Sequence, residues 1–451
     1  MRIDHVAIIG AGFSGTLQAI NLLRHKGPRA TLIERAATPG LGLAYGAAHP
    51  SHVLNVRASN MSAFPDQPGH FAEWLAARGV ADAGNAFAAR VTYGAYLREL
   101  LDAAVAGSAG RLSVVRGAVT GLEQRADGVA LTMADGSAIG ADAAVLAVGN
   151  LPPHDPPGLD PAVLPDDLYK GDPWAGDVGD GLNDSDTVLV IGTGLTMIDV
   201  ALMLEARGFG GRIVALSRRG LLPRRHERVA AWERIDERPA TVASALVRRV
   251  RARAAEIGWR NAVDELRPFT QPMWANASAA ERARFLRHLR PWWDVHRHRL
   301  APQVADRLDA MVARGQLEVI AGKTLGFEAG GGAVTLHWRS RGADVAQIMP
   351  VRRVVNCTGP LGDLGRTTDP LLVALRDSGA IRPDAAHLGI DVNGAGEVIG
   401  ADGCANPRLF ALGPMTRGAF WEIVAVPDIR RQTWDVARRL SNAHWVGGEG
   451  L

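Results

Sequence analysis

A strand that runs into Gly10-x-Gly12-x-x-Gly15, then a helix, then a second strand ending in Glu34, leaves a chain little choice of opening fold. Residues 5–9 are apolar, residues 14–26 follow a helical pattern, and residues 30–34 read as a second strand. Each glycine has its own steric task. Gly10 permits the tight turn out of the strand, Gly12 lets the backbone approach a pyrophosphate, and Gly15 lets helix and strand pack closely. The helix then presents free N–H groups and its positive dipole end to the phosphates. Glu34, 19 residues beyond Gly15, stands where a carboxylate accepts both hydroxyls of a ribose. Phe13, Ser14 and Arg35 flank this cradle and are expected to touch the same ligand.

The residues that follow select the ligand. Pro39-Gly40-Leu41-Gly42-Leu43-Ala44-Tyr45-Gly46 is a second glycine-rich loop, placed to wrap an adenosine and pass along an extended molecule. Residues 35–75 remain irregular, and a compact domain keeps such a loop chiefly where it lines a site. Within it, Asn55 and Met61 are candidates for contact with an isoalloxazine ring and Val56 for contact with the cofactor, and Met61 reads equally well as core filler. A helical segment at 92–106 and short strands at 112–139 lead to a buried strand ending at Gly149. This order resembles that of the two-dinucleotide-binding-domain flavoproteins, in which FAD takes the first glycine turn and NAD(P)H the second, and the resemblance implies FAD here.

A proline-rich connection, residues 151–159, precedes a second opening of the same kind, 182 residues after the first. Gly192-Thr193-Gly194-Leu195 keeps two glycines, with Met197 where the third would stand, so helix and strand are expected to sit slightly apart. The next strand ends at Ser217-Arg218-Arg219, with no acid to claim a ribose. Arginines there suit a 2′-phosphate and favour NADPH, although an arginine-rich chain also carries such pairs as solvated loop charges. Thr358 and Gly359 end a later strand that echoes the one ending at Gly149.

Residues from about 225 to 315 are helical in pattern and hold Trp232, Trp259, Trp274, Trp292 and Trp293. Two compatible readings are an insertion packed on the core by its tryptophans and a lid over a substrate cavity. Arg297, His298 and Arg299 read as a solvated helix face or as contacts to NADPH or an anionic substrate. His296 and His298 diverge on a helix and make no metal site. A strand at 408–412, a turn at Gly413 and a helix at 428–441 follow.

With both turns placed, the chain resembles the glutathione-reductase-type flavoproteins. Within them it is most similar to bacterial FAD/NAD(P)-binding proteins of the monooxygenase-like group. The likeness runs over nearly the whole chain, through Gly42-Leu-Ala-Tyr-Gly46, Leu54-Asn55-Val56 with Met61, Gly192-Thr-Gly-Leu-Thr-Met197, Ser217-Arg-Arg-Gly-Leu-Leu-Pro223 with His226, and Gly413-Pro-Met-Thr-Arg-Gly-Ala-Phe-Trp-Glu422. It implies an α/β fold of two Rossmann-like dinucleotide-binding domains, three-layer ββα in type, with a helical insertion. The implied FAD domain is 1–165 plus 360–451. The implied NADPH domain is 166–359, including the insertion, and the chain crosses between the two at Gly149 and Gly359.

Three departures stand out. Many relatives follow the late glycine with an Asp that binds the ribityl chain; here Pro414 follows Gly413, leaving the task to backbone N–H groups. Flavin-containing and Baeyer–Villiger monooxygenases carry a His where Tyr169-Lys170-Gly171-Asp-Pro-Trp174-Ala175 has Ala175. Disulfide reductases need a cysteine pair, and Cys357 and Cys404 form none by spacing.

A net charge of +3 over 451 residues argues little for nucleic acid. No signal-type apolar region and no run of membrane-spanning length occur, so a cytoplasmic protein is expected; the oligomeric state stays open. The expected partners are a small-molecule substrate and oxygen. Asn55, Trp421 and Glu422 are the catalytic candidates. An exposed Trp421–Glu422 pair would wall the substrate cavity, with Glu422 as acid, base or amine anchor; otherwise Trp421 packs and Glu422 pairs with an arginine such as Arg417. Three functions compete: an NADPH-dependent monooxygenase, a flavin dehydrogenase or oxidase without oxygen transfer, and a non-catalytic redox sensor or assembly subunit.

Overall fold

The computed structural model describes residues 2–227, 233 and 235–442, so Trp232 lies outside the described residues. Strand His5–Ile9 sits inside a six-stranded sheet, ordered Glu397–Ile399, Ala405–Ala411, Ala143–Leu146, His5–Ile9, Arg29–Glu34, Leu112–Arg116. All neighbours are parallel except the first two. Parallel strands covered on both faces must be apolar throughout, and Val6, Ala7 and Ile8 are fully buried. One face carries helices Phe13–Arg24, Arg90–Gly107 and Val426–Leu440, joined to the sheet through Ile8, Leu22, Leu101, Val145 and Leu440. The other face is covered by an antiparallel sheet of Val119–Gln124, Val129–Met133 and Ala138–Ala141, together with helix Pro370–Asp377. That is the ββα layering expected.

A seven-stranded sheet takes its strands from residues between 169 and 356, in the order Gln347–Val351, Ala333–Ser340, Leu317–Gly330, Arg212–Ser217, Thr187–Ile191, Arg353–Asn356, Tyr169–Lys170. Strand Leu317–Gly330 serves two pairings. Its first residues run parallel to Arg212–Ser217, and from Gly322 onward it pairs antiparallel with Ala333–Ser340, through an irregularity at Thr324/Gly326. Helices Leu195–Ala206 and Pro302–Ala313 cover one face. The latter is the ordinary crossover between parallel strands, so the extra helices are Ala243–Asp264, Thr270–Asn276, Ala279–Arg284, a π-helical turn Phe285–Leu289, and Arg290–Arg297.

The two connections between the sheets run side by side. Leu151 bridges Leu361, and the buried Asn356 donates its amide to the carbonyl of His154 at 3.1 Å. Gly149 (φ +72°) and Gly359 (φ +97°) turn the chain at the two strand ends, as their echoing sequences suggested.

Candidate functional site

The first glycine turn has the packing its sequence requires. Gly10 has φ +99°, and a Cβ there would stand 2.5 Å from the Ala147 carbonyl oxygen. A Cβ on Gly15 would collide with the Gly10 carbonyl, so helix Phe13–Arg24 lies directly on the strand. Gly12 caps that helix without any side-chain acceptor, which leaves its first N–H groups open to an anion. Gly42 (φ +56°) approaches so closely that its Cβ would lie 2.8 Å from Gly12 Cα. The two glycine-rich loops therefore abut, with Leu43 and Ala44 exposed beside them.

Glu34 is nearly buried and held at both oxygens: the Ala11 N–H donates to Oε2 at 2.7 Å and the Ala36 N–H to Oε1 at 2.8 Å. Each oxygen keeps a lone pair for a ribose hydroxyl. Arg35 is drawn instead to Asp369, at 3.1 Å. This cradle, open N–H groups with a fixed carboxylate beside them, fits the adenosine pyrophosphate of FAD.

The late turn reaches the same place. Gly413 (φ +75°) packs against Ser14, where a Cβ would strike the serine hydroxyl. Its N–H donates to Gln432 Oε1 at 2.8 Å, and Gln432 Nε2 donates to Thr416 Oγ1 at 3.0 Å. A glutamine from helix Val426–Leu440 thus fixes the turn that lacks the aspartate. The loop candidates divide. Met61 is buried in a cluster with Tyr93, whose hydroxyl donates to the Met61 carbonyl at 2.8 Å, so core packing claims it. Val56 and Tyr45 pack against the same cluster. Asn55 is half-buried, and its carbonyl accepts a 3.0 Å bond from His226 Nε2, which ties this loop to the other sheet's domain.

The second turn repeats the first with looser packing. Gly192 has φ +114° and abuts the Cys357 carbonyl, as Gly10 abuts that of Ala147. Met197 is fully buried at the place of Gly15, where the first turn admits no side chain, so the second helix stands off its strand. Thr193 Oγ1 bonds Ser217 Oγ at 2.9 Å and the Leu221 carbonyl at 2.6 Å, and Gly220 N–H also donates to Ser217 Oγ at 3.0 Å. The Ser217 hydroxyl is therefore committed to shaping the loop. Arg218 is exposed and Arg219 half-exposed, and among the described residues neither guanidinium has a partner. Thr358 is exposed, but its N–H and hydroxyl both donate to the buried Asn356 Oδ1, at 3.2 and 2.7 Å.

Trp421 and Glu422 are not an exposed pair. Both are buried, because the extra helices close over them. Trp421 stacks on Trp274 with ring centroids 4.7 Å apart and meets Phe285 edge-on at 5.3 Å. Glu422 accepts from Trp293 Nε1 at 2.8 Å and lies 3.3 Å from Arg297 Nε and 3.9 Å from His298 Nε2. Burial raises the carboxyl's pKa, but His298, Arg297 and the Trp293 N–H outweigh it and hold the group below the usual range. A carboxylate already paired with Arg297 and bonded by Trp293 has no need of a substrate amine, and the residue expected to pair with it, Arg417, lies over the Trp421 ring, at 4.5 Å. Nor are Arg297, His298 and Arg299 a solvated face. Arg297 and His298 face Glu422, and Arg299 makes a bidentate pair with Asp264, both bonds 2.9 Å.

Residues 7–151 match a protein family described as FAD-NAD(P)-binding. The ornithine hydroxylase of Pseudomonas aeruginosa, in its reduced form, superposes with a TM-score of 0.67 at 13% identity, over 98% of this chain and 99% of that one. This is the fold of the two-dinucleotide-binding-domain flavoproteins. The Kutzneria sp. 744 ornithine N-hydroxylase, in a structure named for reduced FAD, NADP+ and L-ornithine, gives 0.64 at 17% identity, covering 98% of this chain and 100% of that chain. The FAD-bound cadaverine monooxygenase of Erwinia amylovora gives 0.67 at 12%, covering 98% of this chain and 95% of that one. No curated protein matches the chain by sequence.

In this flavoprotein fold a buried polar contact joins the two sheet domains, and the sequence reading missed it. Arg90, at the start of helix Arg90–Gly107, pairs with Asp199 of helix Leu195–Ala206 at 2.7 Å. His52 Nε2 bonds the Asp199 carbonyl at 3.0 Å, and burial holds this histidine neutral, its pKa down at about 4. Burial outweighs Arg90 at the Asp199 carboxyl, whose pKa rises to about 6. A carboxyl that holds its proton more tightly when folded loses stability as pH rises from the unfolded value through the folded one. Asp199→Asn is therefore expected to gain on the parent protein between pH 4 and 7, by up to about 3 kcal/mol at 1.36 kcal/mol per pKa unit. Parallel denaturant titrations across that range read it out; a constant difference would refute it.

Proposed function

We propose that this chain is an FAD-dependent, NADPH-utilising monooxygenase acting on a small molecule. The observation that carries the reading is a pair of glycine turns, each at the carboxyl end of an inner strand and each pressed on a neighbouring strand's carbonyl, in a chain without a redox cysteine pair. Cys357 is buried with its thiol pKa pushed far up by desolvation, while Cys404 is exposed. Bound FAD supplies hydride acceptance and reaction with oxygen. The protein's share is placement. Gly12, the open N–H groups of helix Phe13–Arg24 and Glu34 hold the FAD pyrophosphate and ribose. Gly194 and the start of helix Leu195–Ala206 hold the NADPH pyrophosphate, and Arg218 and Arg219 its 2′-phosphate. The FAD unit is residues 1–165 with 360–451, the NADPH unit 166–359. Similarity to the ornithine and cadaverine enzymes named above supports oxygen transfer.

The decisive experiment is turnover with NADPH under ¹⁸O₂. Label in the product supports the proposal, whereas hydrogen peroxide formed one-for-one with NADPH consumed favours an oxidase. The coenzyme preference has its own test. Removing both guanidiniums in Arg218→Ala/Arg219→Ala is expected to lower the NADPH-over-NADH ratio of kcat/KM for flavin reduction by about tenfold or more, since a charge-assisted bond contributes roughly 1.5–3 kcal/mol. An unchanged ratio would return both arginines to the solvated surface.

A further inference from the structure

We propose that the pocket between the extra helices and Trp421 binds a small uncharged apolar group, of about the size of an isopropyl. The inference is independent of the reaction proposed above and rests on the pocket itself.

The pocket has a volume of about 70 Å³ and an almost wholly apolar surface. Leu266 and Met273 line it together with the rings of Trp274, Phe285, Trp293 and Trp421. These walls are held from outside. Trp274 Nε1 donates to the Gly418 carbonyl at 2.8 Å and Trp293 Nε1 to Glu422 Oε1 at 2.8 Å, while the Trp274 and Trp421 rings brace each other by stacking. Indoles fixed through their N–H groups resist swinging inward to close the space, so the pocket stands preformed.

The polar side chains of the lining select the ligand, because nearly all are committed. Glu281 accepts from the Ala243 N–H at 3.0 Å and pairs with Arg284. Arg282 donates to the carbonyls of Trp274 and Ala275 at 2.9 and 3.0 Å, and the Thr270 hydroxyl donates to that of Arg267 at 3.0 Å. Among the polar side chains lining the pocket, only the Thr241 hydroxyl has no partner among the described residues. A trapped water needs about two to four polar partners, so one hydroxyl does not hold it. A charged group would shed its hydration with no counter-ion free to meet it. An apolar group loses nothing on entry and gains dispersion contact with the aromatic walls. Size follows from volume: a water molecule's share of the liquid is about 30 Å³, and a methyl or methylene group has similar bulk, so the space takes roughly three carbons.

The test titrates the FAD-loaded protein with 2-fluoropropane and, separately, with trifluoroacetate, both followed by ¹⁹F NMR. 2-Fluoropropane is expected to bind at least about tenfold more tightly than trifluoroacetate. Ala243→Leu enlarges a buried residue of the lining and should abolish that binding. Ala283→Leu, at an exposed position outside the lining, should leave it unchanged. Thermal midpoints establish that the variants are folded; should Ala243→Leu fail to fold, the smaller Ala243→Val is expected to weaken binding at least about threefold. Equal binding of the two probes, no binding of 2-fluoropropane, or undiminished binding in the folded Ala243 variant would overturn the proposal. Such a group is carried either by the protein's own substrate or by a separate effector, and the flavin spectrum distinguishes them. An absorption band perturbed by saturating 2-fluoropropane supports the pocket as part of the substrate site, and an unperturbed band supports it as an effector site.

Discussion

Gly12→Ala is expected to give a folded protein that has lost its flavin, whereas Gly15→Ala is expected to unfold the N-terminal unit. The two glycines lie three residues apart in one motif but meet different neighbours. A Cβ on Gly12 would stand 3.4 Å from Gly42 Cα, at the edge of ordinary contact, and Gly12 has φ −75°, open to any residue. The methyl group then occupies only the approach a pyrophosphate needs. A Cβ on Gly15 would collide with the Gly10 carbonyl and come within 3.2 Å of Ala147 Cβ, backbone and core that have no room to retreat. Overpacking of this kind costs roughly 3 kcal/mol or more. The ratio of flavin to protein absorbance and the thermal midpoint separate the outcomes. A Gly12→Ala protein as yellow as the parent would show that the pyrophosphate does not approach there.

Glu422 should be among the most destabilising positions to neutralise. Its carboxylate has no exposed surface and compensates the buried Arg297, with His298 close by. Glu422→Gln keeps the shape and still accepts from Trp293, yet it strands the arginine. Breaking a buried pair in this way costs about 3–5 kcal/mol. The pH dependence has a definite sign. A carboxyl whose folded pKa is depressed contributes its stability above the unfolded pKa and loses it as pH falls through the folded value, so the parent and Glu422→Gln should converge in acid. Glu422 also has φ +70°, in the left-handed region. Glu422→Gly should therefore be more stable than Glu422→Ala, by about 1 kcal/mol, the difference measuring backbone strain in denaturant titrations.

What the sequence revealed and concealed follows the range of the forces involved. The glycine turns, Glu34 and the inner strands were legible because strand, turn and helix specify each other within about thirty residues. The absence of the ribityl aspartate was also visible, but its replacement was not: Gln432 acts on Gly413 from 19 residues away across a helix packing. The contacts made by Glu422 and Asp199 were beyond reach. Trp293 and Glu422 are 129 residues apart, and His52 and Asp199 are 147 apart, so no local pattern joins them. Arg297 and His298 looked like a wet helix face because charge in a sequence suggests solvent; only the fold shows that they are turned inward toward a carboxylate.

The interleaving of the chain sets an order of assembly during synthesis. All strands of the seven-stranded sheet have been made by residue 356, and its helices earlier still. The six-stranded sheet waits for Ala405–Ala411 to cover the open edge of Ala143–Leu146, and helix Phe13–Arg24 waits for Val426–Leu440. A chain growing from its amino end can thus complete the inner unit first while the earliest strands remain exposed. The amino-terminal βαβ is thus made first and finished last.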